Sequence, residues 1–359
     1  MKVLSLFFTL FFCCHLTSGH IPSEDRIIRV IFCSDLHYGL KREFRGDTVN
    51  SQQVIQAMLA TFKILPAQKL PDDGGVGSGK VFGKPDLIVC TGDITNRMQD
   101  GVQTAAESWK QFCEDWKDIV DVPLCLVPGN HDLSNAIGYP KRLSPAKDAS
   151  SAIGIYNRMM KPKISRTAET FNYRNDPVHY SMIIDSIRFA FISMWPDVRM
   201  RAWLDQELKK TPLPTLIFTH DPPSADTKHF TNPNGDHSIN PHDRFENLLA
   251  DTCKVSNIHQ PAKANWKILE EYVKRHPEIK AYFHGDKNYH EFYTWKGLPV
   301  FRVDSPMKGE YSAVDERKLS FIVIMIDPDR KILSARECLW NTENRTSVVW
   351  GESTSISLH

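Results

Sequence analysis

Leu124-Cys125-Leu126-Val127-Pro128-Gly129-Asn130-His131-Asp132 is the stretch on which the reading of this chain turns. Its first four residues form a short apolar run suited to a buried strand, and Pro128-Gly129 ends that run abruptly. An amide, an imidazole and a carboxylate then follow one another at the tip. Two earlier segments repeat the arrangement: Leu87-Ile-Val-Cys90 runs into Gly92-Asp93, with Asn96 beyond, and Arg29-Val-Ile-Phe-Cys33 runs into Asp35-Leu36-His37. Further on, Leu216-Ile-Phe-Thr219 ends in His220, and Asp221-Pro222-Pro223 forces an extended exit behind it. Turn chemistry alone accounts for any one tip, because Asp, Asn and Gly favour strand-to-helix loops. It does not account for several in order, each directly behind an apolar strand, which is where an open α/β sheet places its ligand crevice.

Working outward, Ser51 to Lys63 and Gln103 to Ile119 carry helical periodicity, so the first half alternates strands with helical crossovers. The second half is richer in hairpins. Ser181–Met194 turns at Asp185-Ser186, Glu291–Val303 at Lys296-Gly297, and Ser320–Cys338 at Asp327-Pro328-Asp329, with a strand at Thr215–Thr219 and a helix near Ala264–Lys274 between them. This order predicts an α/β fold of two half-sheets packed face to face with helices outside. No internal repeat or composition break marks a second domain, so residues 20–340 are read as one domain and 341–359 as a C-terminal tail.

The balance of 44 basic against 43 acidic residues leaves a net charge of +1. No nucleic-acid-binding patch follows from such a balance, and any phosphate recognition must be local. Lys2, the apolar run from Val3 to Cys14, and Thr17-Ser18-Gly19 before His20 read as a signal peptide over residues 1–19, which predicts a secreted or periplasmic protein with no transmembrane segment once it is removed. Of eight cysteines, Cys13 and Cys14 fall in that leader and six follow it. Cys33, Cys90 and Cys125 lie in apolar strands and are expected as buried thiols, whereas Cys113, Cys253 and Cys338 are the candidates for bridges. Gly74-Gly-Val-Gly-Ser-Gly79-Lys80 mimics a phosphate-binding loop, but no strand precedes it, no helix follows, and Val81 stands where a hydroxyl is needed; a mobile surface loop is expected instead.

Asp35-x-His37, Gly92-Asp93, Gly129-Asn130-His131-Asp132 and Thr219-His220 together resemble the calcineurin-like metallophosphoesterase family, over a span from about Val30 to about Val303. That resemblance implies a four-layer α/β/β/α sandwich with two packed mixed β-sheets. It implies two divalent metal ions (Mn, Fe, Zn or Mg), Asp35 and His37 binding the first, Asp93 bridging both, and Asn130 and His220 binding the second. His131 would be the acid or transition-state donor, oriented by Asp132, and the substrate a phosphate ester. The chemistry is coherent in itself, since a bridging carboxylate can hold two cations about 3.5–4 Å apart and together they bring the pKa of shared water from 15.7 towards roughly 7.

The family's closing Gly-His-x-His segment is altered here to Gly285-Asp286-Lys287-Asn288. Three outcomes are open: Asp286 and Asn288 ligate through oxygen, favouring Mg²⁺ or Mn²⁺ over Zn²⁺; His284 or His290 takes over by a change of register; or one metal site is lost. The last would leave a degenerate, non-catalytic scaffold that binds a phosphorylated ligand or partner. Lys287 is expected to point at substrate phosphate. The polar stretch from Lys228 to His237 is either a substrate-covering loop, with His229 or His237 meeting the phosphate or leaving group, or a plain surface loop. Tyr289, Phe292, Tyr293 and Trp295 either stack on an organic leaving group or fill a hairpin core.

Overall fold

The computed structural model describes residues 26–96, 103–119, 121–133, 148–172, 175–225, 249 and 266–359. The leader, Cys253, His229 and His237 lie outside these residues.

In chain order the strands are β1 (Ile28–Cys33), the small hairpin β2 (Lys41–Phe44) and β3 (Asp47–Asn50), β4 (Leu87–Cys90), β5 (Leu124–Leu126), β6 (His179–Ile184), β7 (Ile187–Ile192), β8 (Thr215–Phe218), β9 (Ile279–His284), β10 (Glu291–Trp295), β11 (Leu298–Arg302), β12 (Ser320–Asp327), β13 (Ile332–Leu339) and β14 (Val349–Ser357). The helices are α1 (Ser51–Ile64), α2 (Ala105–Asp115), the short α3 (Asn130–Leu133), α4 (Ser150–Met160), α5 (Val198–Lys210) and α6 (Trp266–Arg275). Local chemistry sets their starts: Asn50 with Gln53 and Thr104 with Glu107 form capping boxes at α1 and α2, and the Asp197 carboxylate caps α5.

Two six-stranded sheets result, ordered β14-β13-β12-β1-β4-β5 and β10-β11-β9-β8-β7-β6. β1, β4 and β5 run parallel, as do β7, β8 and β9, so their polar tips all emerge at strand C-terminal ends. Both faces of these central strands are covered, which is why they read as mainly apolar runs, broken near their starts by Arg29, Arg188 and Lys280. α1 and α2 bury Val54, Met58, Phe62 and Phe112 against the first sheet, while Leu204 of α5 and Leu269 of α6 join the core beneath the second. Between the sheets, the Phe32 ring of β1 stands edge-on to Phe218 of β8 and Phe283 of β9, 5.7 Å from each. Such pairs contribute about 0.5–1.5 kcal/mol each beyond area burial. They fix how the crest of one sheet faces the crest of the other.

Two expectations are corrected. Residues 341–359 do not trail as a tail, because β14 pairs antiparallel with β13 from Ile332↔Ser357 to Leu339↔Val349 and Leu358 is buried. Apart from Val349, Trp350 and Ile356 the strand is polar or glycine on both faces, so backbone pairing rather than apolar pattern makes it. Nor is the glycine-rich stretch a mobile loop. Val76 and Phe82 are buried, Val76 N donates to Ser334 Oγ at 2.7 Å, and Asp73 accepts from both Nε and Nη2 of Arg336 at 2.7 and 2.8 Å. A guanidinium buried in β13 requires a counter-charge, and this loop brings it. That bidentate bond holds the Asp73 carboxyl down at about 2. Cys33, Cys90 and Cys125 are buried free thiols, and Cys113 and Cys338 are free as well.

Candidate metal centre

The loops behind β1 and β4 are laced together before any side chain is considered. Asp35 N donates to Gly92 O at 2.9 Å, His37 N to Asp93 O at 2.8 Å and Tyr38 N to Ile94 O at 2.8 Å. This pairing carries Asp35, His37 and Asp93 in left-handed backbone, at φ of 55°, 44° and 49°, and across the cleft Asp286 and Asn288 adopt φ of 67° and 56°. Conformations of this kind cost on the order of 1–3 kcal/mol each for non-glycine residues and persist where surroundings impose them. Gly129 and Gly285 permit the close approach. A Cβ at Gly129 would collide with Asp93 Oδ1 and the His220 ring, and one at Gly285 with Asp35 Oδ2 and Ser34 Oγ.

The side chains converge on Asp93. Its Oδ2 lies 3.7 Å from His37 Nε2 and 3.8 Å from His131 Nε2, and its Oδ1 lies 3.4 Å from His220 Nε2. Two groups with the spacing of a metal cage result, His37/Asp93/His131 and Asp35/Asp93/His220, the ligand atoms of each within 4.8 Å of one another. Asp93 belongs to both. Asn130 Oδ1 sits 3.2 Å from His220 Nε2, and Asp286 Oδ1 4.0 Å from that same nitrogen. Thr91 O lies 2.8 Å from His220 Nδ1, so a neutral ring donates there and turns its Nε2 lone pair inward, the arrangement a metal-ligating histidine needs.

Charge explains why this cluster calls for cations. Burial, reinforced by Asp93 and Asp286, pushes the Asp35 carboxyl up to about 7 despite His220. Burial also opposes charge on Asp93, but His220, His37 and Lys308 outweigh it and bring that carboxyl to about 2. His220 resists protonation through its burial, yet Asp93 and Asp35 raise it well above the ordinary imidazole range. A proton is thus held where a divalent ion would sit. Asp35 Oδ1 and Asn288 Oδ1 are buried with no hydrogen-bond partner among the described residues. Orphaned buried oxygens beside clustered carboxylates fit a cation site, and the mix of imidazole, carboxylate and amide donors suits Mn²⁺, Fe, Zn²⁺ or Mg²⁺.

In the altered segment the two flanking histidines make their hydrogen bonds elsewhere. His284 Nδ1 lies 2.8 Å from Gly285 O and Nε2 2.9 Å from Tyr293 OH, with burial bringing its pKa down to about 3, so both nitrogens are engaged in the core. His290 pairs instead with Glu352 of β14 at 3.1 Å. Asp286 is the residue brought to the centre: its N donates to Asp35 Oδ2 at 3.0 Å. Asn288 Nδ2 donates to Asp286 O at 3.2 Å. Lys287 Nζ lies 3.0 Å from Asp286 Oδ2.

Asp132 is not the orienter of His131. Its carboxylate accepts from Ile94 N, Thr95 N, Thr95 Oγ1, Gly129 N and Ser151 Oγ, fastening the tips of β4 and β5 to α4. His131 is set by its own N, which donates to Asp93 Oδ1 at 2.8 Å. The aromatic group serves the hairpin: Arg302 lies over Tyr289 and Tyr293, 3.9 and 5.1 Å from their centroids, and Phe292 packs on Phe301. Sequence reading missed Lys308, whose Nζ lies 3.4 Å from His131 Nε2. The signal was present, because Val300-Phe301-Arg302-Val303, apolar but for Arg302, leads into the polar tip Asp304-Ser305.

A family model described as calcineurin-like phosphoesterase matches residues 28–287. A curated relative, a probable glycerophosphodiester phosphodiesterase GpdQ of Arcobacter nitrofigilis, is 25% identical over 151 residues, which is 39% of this chain and 43% of the relative. The chain therefore spans less than half the length of that relative. Among solved structures, a dimetal phosphatase from Danio rerio aligns over 92% of this chain and 99% of its own, with a TM-score of 0.51 at 12% identity. GAP50 of Plasmodium, titled the anchor in the inner membrane complex, aligns over 92% and 89% with a TM-score of 0.43 at 11% identity.

Proposed function

The chain belongs to the calcineurin-like phosphoesterase family, and from that premise we propose that it hydrolyses a phosphate ester using two divalent cations held around Asp93. The observation that carries the reading is the sharing of Asp93 between two clusters, its Oδ2 facing His37 at 3.7 Å and its Oδ1 facing His220 at 3.4 Å with Asp35 beside them, while His131 at the rim is kept for the chemistry. Asn130 and Asp286 would complete the ligand set, with Asn288 as a neutral oxygen donor. When bound, such a pair supplies a nucleophile from water at neutral pH and draws charge from the phosphoryl group.

The chain's own residues do the remainder. His131 is the least enclosed of the three histidines, its side chain 11% exposed against 1% for His37 and 0% for His220. It therefore faces the approach of substrate, and serves as the acid that protonates the departing alkoxide or braces the developing charge. Asp132 holds the two tips rigid, so that Asp93 and His131 keep their geometry through the reaction. The oxygen-rich segment at Asp286 and Asn288 favours Mg²⁺ or Mn²⁺ over Zn²⁺. Export is part of the reading, supported by the apolar run from Val3 to Cys14, and no described helix is long and apolar enough to cross a membrane.

Purified protein stripped with a chelator and resupplied with Mn²⁺, Mg²⁺ or Zn²⁺ tests the proposal against 4-nitrophenyl phosphate and its bis-ester. Release of nitrophenol that depends on added metal is expected. Its absence with every metal and both esters would defeat the hydrolytic reading.

A further inference from the structure

We infer that Lys308 grips the phosphoryl group of the substrate and so favours phosphate monoesters over diesters. The inference deepens the hydrolytic reading above and rests on it for the site, though its test needs no turnover. Lys308 follows β11 and lies beyond the stretch matched by the family model, which ends at residue 287. Its placement is built. Lys308 N donates to Ser305 Oγ at 2.9 Å, and the Ser305 hydroxyl donates to Asp35 O at 2.8 Å, so the loop is pinned to the backbone of a candidate ligand.

The ammonium lies 3.4 Å from His131 Nε2, on the side of the centre where His131 is 11% exposed and the other histidines are closed. Lys287, the other lysine of the site, lies 3.0 Å from Asp286 Oδ2. An ammonium beside a cation centre is a like charge, and an anion placed between them turns that repulsion into attraction on both sides. Lysine suits that place as a point charge for phosphate oxygen, without the geometric demand of a guanidinium.

The number of oxygens then sets the selectivity. A phosphate monoester has three non-bridging oxygens, so with two directed at the metal-ligand cluster one remains for Lys308. A diester has only two, and its second ester group would stand where the third oxygen belongs. Lys308 is thus satisfied by one substrate class and left facing an ester by the other.

Calorimetric titration of the Mn²⁺-loaded protein with inorganic phosphate and with dimethyl phosphate, in wild type, K308M and K308R, tests this. Wild type is expected to bind phosphate at least about 10-fold tighter than dimethyl phosphate, K308M to lose about 10- to 100-fold of its phosphate affinity with dimethyl phosphate little changed, and K308R to recover most of the loss. Bound Mn²⁺ per chain should be equal in all three. Phosphate affinity unchanged in K308M, an equal loss for both anions, no phosphate binding in wild type, or loss of Mn²⁺ from K308M would each overturn the inference, the last by making Lys308 structural. Wild type that binds phosphate in this pattern yet hydrolyses no ester would defeat the hydrolytic reading and leave the role of Lys308 standing.

Discussion

The two sheets bring unequal halves to the centre. On the first, the tips of β1 and β4 are cross-linked by backbone bonds at Asp35, His37 and Tyr38, and the Asp132 carboxylate behind β5 gathers donors from residues 94, 95, 129 and 151. On the second, His220 is fixed by Thr91, but Asp286 and Asn288 sit on a turn tied by Gly285 N to His220 O at 3.0 Å, Asp286 N to Asp35 Oδ2 at 3.0 Å and Glu310 N to Asn288 O at 2.7 Å. The first half keeps the family pattern at every position, and the second replaces both closing histidines. A bridging carboxylate tolerates little displacement, because it serves two ions at once. A terminal donor can change identity while the bridge stays in place.

If that division is right, the largest effect belongs to the residue both triads share. Asp93→Asn should remove bound metal and depress hydrolysis at least about 1,000-fold, roughly 4 kcal/mol of transition-state stabilisation. Metal analysis alongside kinetics checks it, and a variant that keeps full metal and near-normal turnover would break the comparison at its strongest point. The next effect is on stability. Asp132→Ala strands the donors that meet in its buried carboxylate and should destabilise the fold by about 3–5 kcal/mol, read from the midpoint of urea unfolding. Were Asp132 an orienter of His131 alone, unfolding would hardly move and the acid limb of the pH–rate profile would shift instead.

How much of this was legible in the sequence depends on distance along the chain. The convergence of Asp35, His37, Asp93, Asn130, His131 and His220 could be read because they lie behind the ends of four apolar strands, β1, β4, β5 and β8, a local signal repeated in order. The hairpins at Asp185-Ser186, Lys296-Gly297 and Asp327-Pro328-Asp329 were likewise local, and β6/β7, β10/β11 and β12/β13 form there. What was misread depends on remote partners. Asp132 adjoins His131 in sequence, yet its carboxylate bonds to residues on β4's loop and on α4. The glycine-rich stretch looked loose because its anchor, Arg336, is 263 residues from Asp73. β14 carries too little apolar alternation to announce a strand, and only pairing with β13 reveals it. Lys308 follows the same strand-and-tip signature as the others but stands several residues past its strand, with Ser305 as the link that folds it back.

The smallest expected effect bears on the altered half. Asp286→His combined with Asn288→His restores the family's closing pair. In an enzyme whose first half already fixes the bridge, it should change kcat/KM with Mn²⁺ by no more than about tenfold while shifting preference toward Zn²⁺, as imidazole replaces harder oxygen donors. The exchange also removes the carboxylate beside Lys287, which lies 3.0 Å from it, so part of any loss would reflect an ammonium left facing the metals. Adding Lys287→Gln to the double variant separates the two contributions, since it restores rate only if that ammonium is responsible. A different result would invert the comparison. If the native chain is nearly inert and the double variant gains at least about 1,000-fold in activity, then the second half limits the site, and the first is an intact frame around an incomplete centre.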